Sequence, residues 1–172
     1  MFIIFGGLPG VGKSTIANSL SRRLKAVYLR IDAIEQAIKS AAKFNDNNKG
    51  VVVAEGYMAA YAVAKDNLKN GLTVIADSVN PIEITRNDYR KVAIDLNIPY
   101  LEIEVICSDT VQHKARVETR KSSVDGLKLP TWEDVLKRDY ELWSTKSIIL
   151  DTALLSETEA VDKIVHELSK KR

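Results

Sequence analysis

Between residues 7 and 14 the chain reads Gly7-Leu8-Pro9-Gly10-Val11-Gly12-Lys13-Ser14, followed by Thr15, and fits the pattern G-x-x-x-x-G-K-S without a mismatch. These residue types suit one task. Glycines let successive backbone N–H groups curl around a β-phosphate, Lys13 reaches the β- and γ-phosphates as a mobile positive charge, and the Ser14 hydroxyl is a hard oxygen ligand for Mg²⁺. A side chain at Gly10 or Gly12 would obstruct the cradle. The context agrees, because the apolar run Phe2-Ile3-Ile4-Phe5 stands just ahead of the loop and a helix opening behind it adds the positive end of its dipole. A plain glycine-rich turn would need neither Lys nor Ser at those places. Gly7 to Thr15 therefore imply a site for a nucleoside triphosphate, expected to be ATP, with Mg²⁺.

Such a loop must be held by a scaffold, and the hydrophobic period along the chain keeps switching between strand and helix. That alternation marks an α/β fold with a mainly parallel sheet. Five strands are expected: Phe2 to Phe5, Val27 to Arg30, Thr73 to Ala76, Tyr100 to Cys107 and Ile148 to Leu150. Most are short and rich in Ile and Val, as strands covered on both faces by helices should be. Asn80-Pro81-Ile82-Glu83 reads as a cap before a proline-led helix, and Thr131-Trp132-Glu133-Asp134 and Ser156-Glu157-Thr158-Glu159 read as further helix starts. Two polar stretches, Lys43 to Gly50 and Arg120 to Pro130, are expected to be loops of the kind that close over substrate. Asp32 and Asp77 fall just past the second strand and at the end of the third, on the carboxyl edge where an open parallel sheet binds ligands.

The whole pattern resembles the small P-loop kinases related to nucleoside monophosphate kinases. It is most similar to the compact kinases grouped with adenylylsulfate kinase, polynucleotide 5′-hydroxyl kinase, gluconate and shikimate kinases and the zeta toxins. The likeness rests on GLPGVGKST, on YLRID ending at Asp32, on VIADSVNP followed by Arg86, and on CSDTVQHKARVETR ending at Arg120. It implies a three-layer P-loop NTPase, a five-stranded sheet in the order 2-3-1-4-5 with helices on both faces, and a lid over approximately residues 113–131. It also implies roles. Asp32 would orient or accept the proton of an acceptor hydroxyl, unless it only caps the following helix. Asp77 resembles a Walker B acid that holds Mg²⁺ through water or contacts the acceptor; the next residue is Ser78, so the Asp-Glu pair that activates water in motor ATPases is missing. Asn80 would line the acceptor pocket or cap its helix. Arg86 would grip substrate or lie solvated. Arg116 and Arg120, which share a helical face with His113, match lid arginines that neutralise the moving phosphoryl group, against the alternative of a solvated stripe. His113 itself reads as a surface residue. Several relatives carry an arginine three residues after the Asp32 position, where this chain has Glu35, which reads as a capping-box partner of Asp32 or as a group that meets a hydroxylated or cationic substrate. Tyr57 and Tyr61 read as core or as an acceptor wall, and Trp132 and Trp143 as packing anchors.

Composition bounds the function. The 172 residues suit one kinase domain over 1–172, and a net charge of +2 from 25 basic and 23 acidic residues lacks the field of a dedicated nucleic-acid binder. The acceptor is therefore expected to be a small-molecule hydroxyl, with a polynucleotide 5′-hydroxyl or an acceptor-free ATP switch as the alternatives. A guanine-reading Asn-Lys-x-Asp is absent, since Asn48-Lys49-Gly50 runs into Val51 and Thr145-Lys146-Ser147 into Ile148. The lone Cys107 forms no internal disulfide and reads as a small core residue. The apolar run before Gly6 falls short of the roughly 7 to 15 residues of a signal-peptide core, and no stretch reaches the roughly 20 of a membrane span. A soluble cytoplasmic chain is expected.

Overall fold

The computed structural model describes residues 1–44, 54–145 and 147–170. Most of the polar stretch from Lys43 to Gly50 lies outside the described residues. Five strands, β1 (Phe2–Gly6), β2 (Val27–Arg30), β3 (Val74–Asp77), β4 (Tyr100–Ile106) and β5 (Ile148–Asp151), form one sheet in the order β2-β3-β1-β4-β5. Every pairing is parallel, and Phe5 stands opposite both Asp77 of β3 and Ile103 of β4. The expected topology is thus observed, with strand ends shifted by one residue at most.

Seven helices are described: α1 (Lys13–Leu24), α2 (Ile31–Phe44), α3 (Ala54–Lys69), α4 (Glu83–Asp95), α5 (Thr110–Thr119), α6 (Trp132–Leu136) and α7 (Glu157–Ser169). None among the described residues is long and apolar enough to cross a membrane. The sheet has a core on each face, as its nearly all-apolar central strand requires. Ile3, Phe5 and Ile103 pack with Ile16 and Leu20 of α1 and Ile164 of α7; Phe2, Ile4 and Ala76 pack with Ala60 and Ala64 of α3 and Tyr89 of α4. Tyr57, Tyr61 and Tyr89 form a ring cluster, with the Tyr61 and Tyr89 centroids 4.6 Å apart. Capping boxes start α6 at Thr131/Asp134 and α7 at Ser156/Glu159, as read from the sequence.

The start of α4 departs from expectation. Its flanking residue is Ile82, while Asn80 lies in the left-handed region at φ 47° and makes no cap. Asn80 is held elsewhere, because its side-chain amide donates to the Phe5 carbonyl at 2.8 Å across the sheet edge. The cap comes from far along the chain: the Glu83 N–H donates to the Glu141 carboxylate. Glu141 belongs to a strap, residues 137–145, that follows α6. β4 also breaks the apolar rule, since Glu102 and Glu104 point to one face. The strap covers both, Thr145 donating to Glu102 at 2.6 Å and Tyr140 to Glu104 at 3.3 Å.

Candidate active site

The carboxyl edge of the sheet gathers the ends of β1, β2 and β3, and the phosphate loop leaves β1 at its centre. Gly7 donates its N–H to the Val79 carbonyl at 3.0 Å, which ties the loop to the β3–α4 connection. Two glycines are dictated by space as well as by backbone. A Cβ on Gly7 (φ 136°) would strike the Val105 carbonyl, and one on Gly10 (φ 87°) would strike Val117 of α5. Lys13 opens α1, is 7% exposed and folds back to donate to the Leu8 carbonyl at 3.1 Å. Burial lowers its pKa; Asp77 and Asp32 pull the other way, and Arg120 and Arg138 lower it further. Those four groups are its electrostatic neighbours. Their assembly around one lysine defines the cleft.

Asp32 is the second residue of α2, inside the first turn rather than at the flanking cap position. It is half-exposed, and Arg30 at the end of β2 stands 3.8 Å from its carboxylate. Asp77 is 3% exposed and accepts a hydrogen bond from the Tyr28 hydroxyl at 2.7 Å. The same phenol lies within hydrogen-bonding reach of the Ser14 hydroxyl, and burial followed by the Asp77 charge drives its pKa far up. Ser14, Tyr28 and Asp77 thus present three hard oxygens at one point. Tyr28 carries no mark in the sequence beyond a phenol that faces the β3 acid from the neighbouring strand. Arg120, half-buried, lies near Asp32 and Arg30, and burial lowers its pKa. Its Nε and Nη2 are shielded from solvent and meet no acceptor among the described residues.

The remaining residues divide between the cleft and its supports. Arg116 does not point free: it donates to the Thr152 hydroxyl at 2.7 Å and the Thr152 carbonyl at 3.0 Å, and Thr152 in turn donates to the Val11 carbonyl at 2.8 Å. His113 is buried, not a surface residue. Its Nε2 lies 2.9 Å from the Pro9 carbonyl and its ring meets Trp132 edge to face. The basic face of α5 therefore packs under the phosphate loop, and the segment that crosses the cleft starts only after Arg120. There Ser123 accepts from Arg30 at 2.7 Å, and Gly126 lies against Gln36. Arg86 is not brought to the cleft either. It is fully buried, donating to the carbonyls of Asn80, Pro81, Glu141 and Leu142, and its guanidinium stacks on Trp143 at 4.6 Å. Asn80, equally buried, supports β1. Arg138, on the strap, was not singled out from sequence. Its charge acts on Lys13 and Glu35, and nothing in its local pattern separates it from any surface arginine.

A family model described as an AAA domain matches residues 2–142. The adenylyl-sulfate kinase of Bacteroides fragilis is 27% identical over 176 residues, covering 96% of this chain and 81% of that protein. The L-seryl-tRNA(Sec) kinase of Methanococcus maripaludis is 26% identical, covering 98% and 64%. Among solved structures, Kti12 of Chaetomium thermophilum in complex with ADP-AlF₃ superposes with a TM-score of 0.70 at 22% identity, covering 96% of this chain and 98% of that one. The APS kinase of Mycobacterium tuberculosis in complex with AMPPNP and APS gives 0.65 at 19%, covering 98% and 96%. At these identities the structural likeness speaks for the fold.

Proposed function

The chain belongs to the AAA-domain family of P-loop proteins and is a kinase within it, and from that premise we propose that it moves the γ-phosphoryl group of Mg·ATP to a hydroxyl of a small-molecule acceptor. The observation that carries the reading is Arg120, whose shielded and unpartnered N–H groups sit beside Asp32 in the cleft that holds Lys13. A guanidinium left so is built for oxygens that arrive with a ligand, and its planar fork suits a phosphoryl group.

In this reading Gly7 to Thr15 hold the triphosphate, and Lys13 with Arg120 neutralises charge on the γ-phosphoryl as it moves. Asp32, steadied by Arg30, accepts the proton of the acceptor hydroxyl. The acceptor oxygen bonds to phosphorus while the bond to the β-phosphate oxygen breaks and ADP leaves. Mg²⁺ would be held by two of the three oxygens at Ser14, Tyr28 and Asp77, Ser14 directly and Asp77 through water, and it would supply charge neutralisation on the phosphates. Tyr28 holds one oxygen of Asp77, so the carboxylate keeps one orientation before the cation comes. Arg116 and His113 fix the loop's shape, while Arg86 and Asn80 fix the ground beneath it. Asp32→Asn tests the assignment: turnover should fall by roughly 10²- to 10⁴-fold with little change in ATP affinity. Normal turnover in a less stable protein would leave Asp32 a helix-end residue only.

A further inference from the structure

We propose that the acceptor is a polyhydroxyl or amino-hydroxyl compound without negative charge, which turns a donor group, hydroxyl or ammonium, to Glu35; the inference rests on the kinase reading above. Glu35 lies one turn after Asp32 on the same face of α2, and its side chain is 15% exposed. It is seated by a glycine. A Cβ on Gly56, in the first turn of α3, would fall on the Glu35 side chain, so only glycine at that place lets the carboxylate settle between the two helices. Burial raises its pKa, Lys39 and Arg138 lower it and Asp32 raises it. Its ion-pair partner Lys39 stands at the outer limit of contact, 3.9 Å, and is itself 41% exposed. Across from it the buried Tyr57 hydroxyl feels both Glu35 and Asp32.

Cations gather most closely at Asp32: Arg120 and Arg30 approach it from the crossing segment and the end of β2, while Arg138 on the strap acts on both Lys13 and Glu35. The walls given by α2 and α3 offer Glu35, Gln36 and Tyr57, with Lys39 at the rim. A carboxylate, phosphate or sulfate on the acceptor, laid against those walls, would meet Glu35 in a partly desolvated space where like charges repel strongly. A hydroxyl or ammonium would instead donate to it. Such charge-assisted bonds are the stronger kind.

The test is γ-phosphoryl transfer from radiolabelled Mg·ATP to matched panels: neutral sugars and nucleosides, amino sugars, and anionic acceptors such as gluconate and adenylyl sulfate. Label should enter the neutral or amino panel, and comparison of those two tells hydroxyl from ammonium. Glu35→Gln, nearly isosteric, should raise KM for the preferred acceptor by at least about tenfold, more than it lowers kcat, and Glu35→Arg should move preference toward the anionic panel. Preferential labelling of the anionic panel by the unaltered protein overturns the inference and leaves the kinase reading standing. ATP binding with no labelled acceptor in any panel, and hydrolysis equal in the unaltered protein and Asp32→Asn, overturns both.

Discussion

At the scale of single residues the site sets two buried polar groups, Lys13 and Asp77, near the half-exposed Asp32 and the half-buried Arg120. Lys13 bonds a loop carbonyl while desolvation pushes its pKa down and two carboxylates hold it up. A triphosphate would add negative charge that favours its charged form further. Lys13→Ala should cut transfer by about 10³-fold or more while circular dichroism stays unchanged; near-normal turnover would remove the phosphate loop from the mechanism. Tyr28 gives a finer test. Its phenol bonds Asp77 and reaches Ser14, and groups that orient metal-binding residues typically cost about 10- to 100-fold in metal affinity when lost. Tyr28→Phe should shift the Mg²⁺ dependence of fluorescent-nucleotide binding by about 10-fold, with nucleotide affinity in the absence of metal unaltered. Glu35 carries a pH signature. Its pKa is raised in the fold, so the protonated carboxyl is favoured by folding; stability from this group is full below its ordinary range near pH 4.5 and declines as pH rises through the raised value. Glu35→Gln should lack that decline, seen as a melting-temperature advantage over the unaltered protein at neutral pH that vanishes in acid.

At the scale of elements, α5 does two jobs with one face. His113 and Arg116 anchor it beneath the phosphate loop, through Pro9 and through Thr152 to Val11, and Val117 fills the space beside Gly10. Arg120, one turn on, keeps its Nε and Nη2 without an acceptor among the described residues. The two arginines should therefore separate in kinetics. Arg120→Ala should lower kcat by about 10²- to 10³-fold at saturating ATP, whereas Arg116→Ala should raise KM for ATP and lower the melting temperature with a smaller effect on kcat. Equal kcat losses would return both to one role. The elements themselves were legible in the sequence because strand and helix periods are local, and Asp32 and Asp77 were legible because strand ends in a parallel sheet share one edge. His113, Arg86 and Tyr28 were not. A basic or phenolic side chain carries no local mark of whether its partner is water, a carbonyl 104 residues away, as for His113, or a carboxylate on the next strand.

At the scale of the whole molecule, the strap from 137 to 145 joins parts of the fold that the sheet alone leaves apart. Arg86 nails it to α4 through the carbonyls of Glu141 and Leu142, Glu141 caps α4 in return, and Trp143 lies against Gly6 where β1 becomes the phosphate loop. The near end of the same strap carries Arg138 to Lys13 and Glu35. Support and site are thus on one short length of chain, and loosening the anchor should blunt the arginine. Removing a buried cation that satisfies four carbonyls costs on the order of 3–5 kcal/mol, so Arg86→Ala should lower stability by about that amount and speed amide exchange in the strap well beyond that in β1. Arg138→Ala alone should slow turnover, since it takes a positive charge from the field around Lys13. In the Arg86→Ala background the same change should cost less, because the guanidinium no longer has a fixed place to act from. Additive effects in that cycle would mean that Arg138 acts without the strap's anchor, and that Arg86 serves the fold alone.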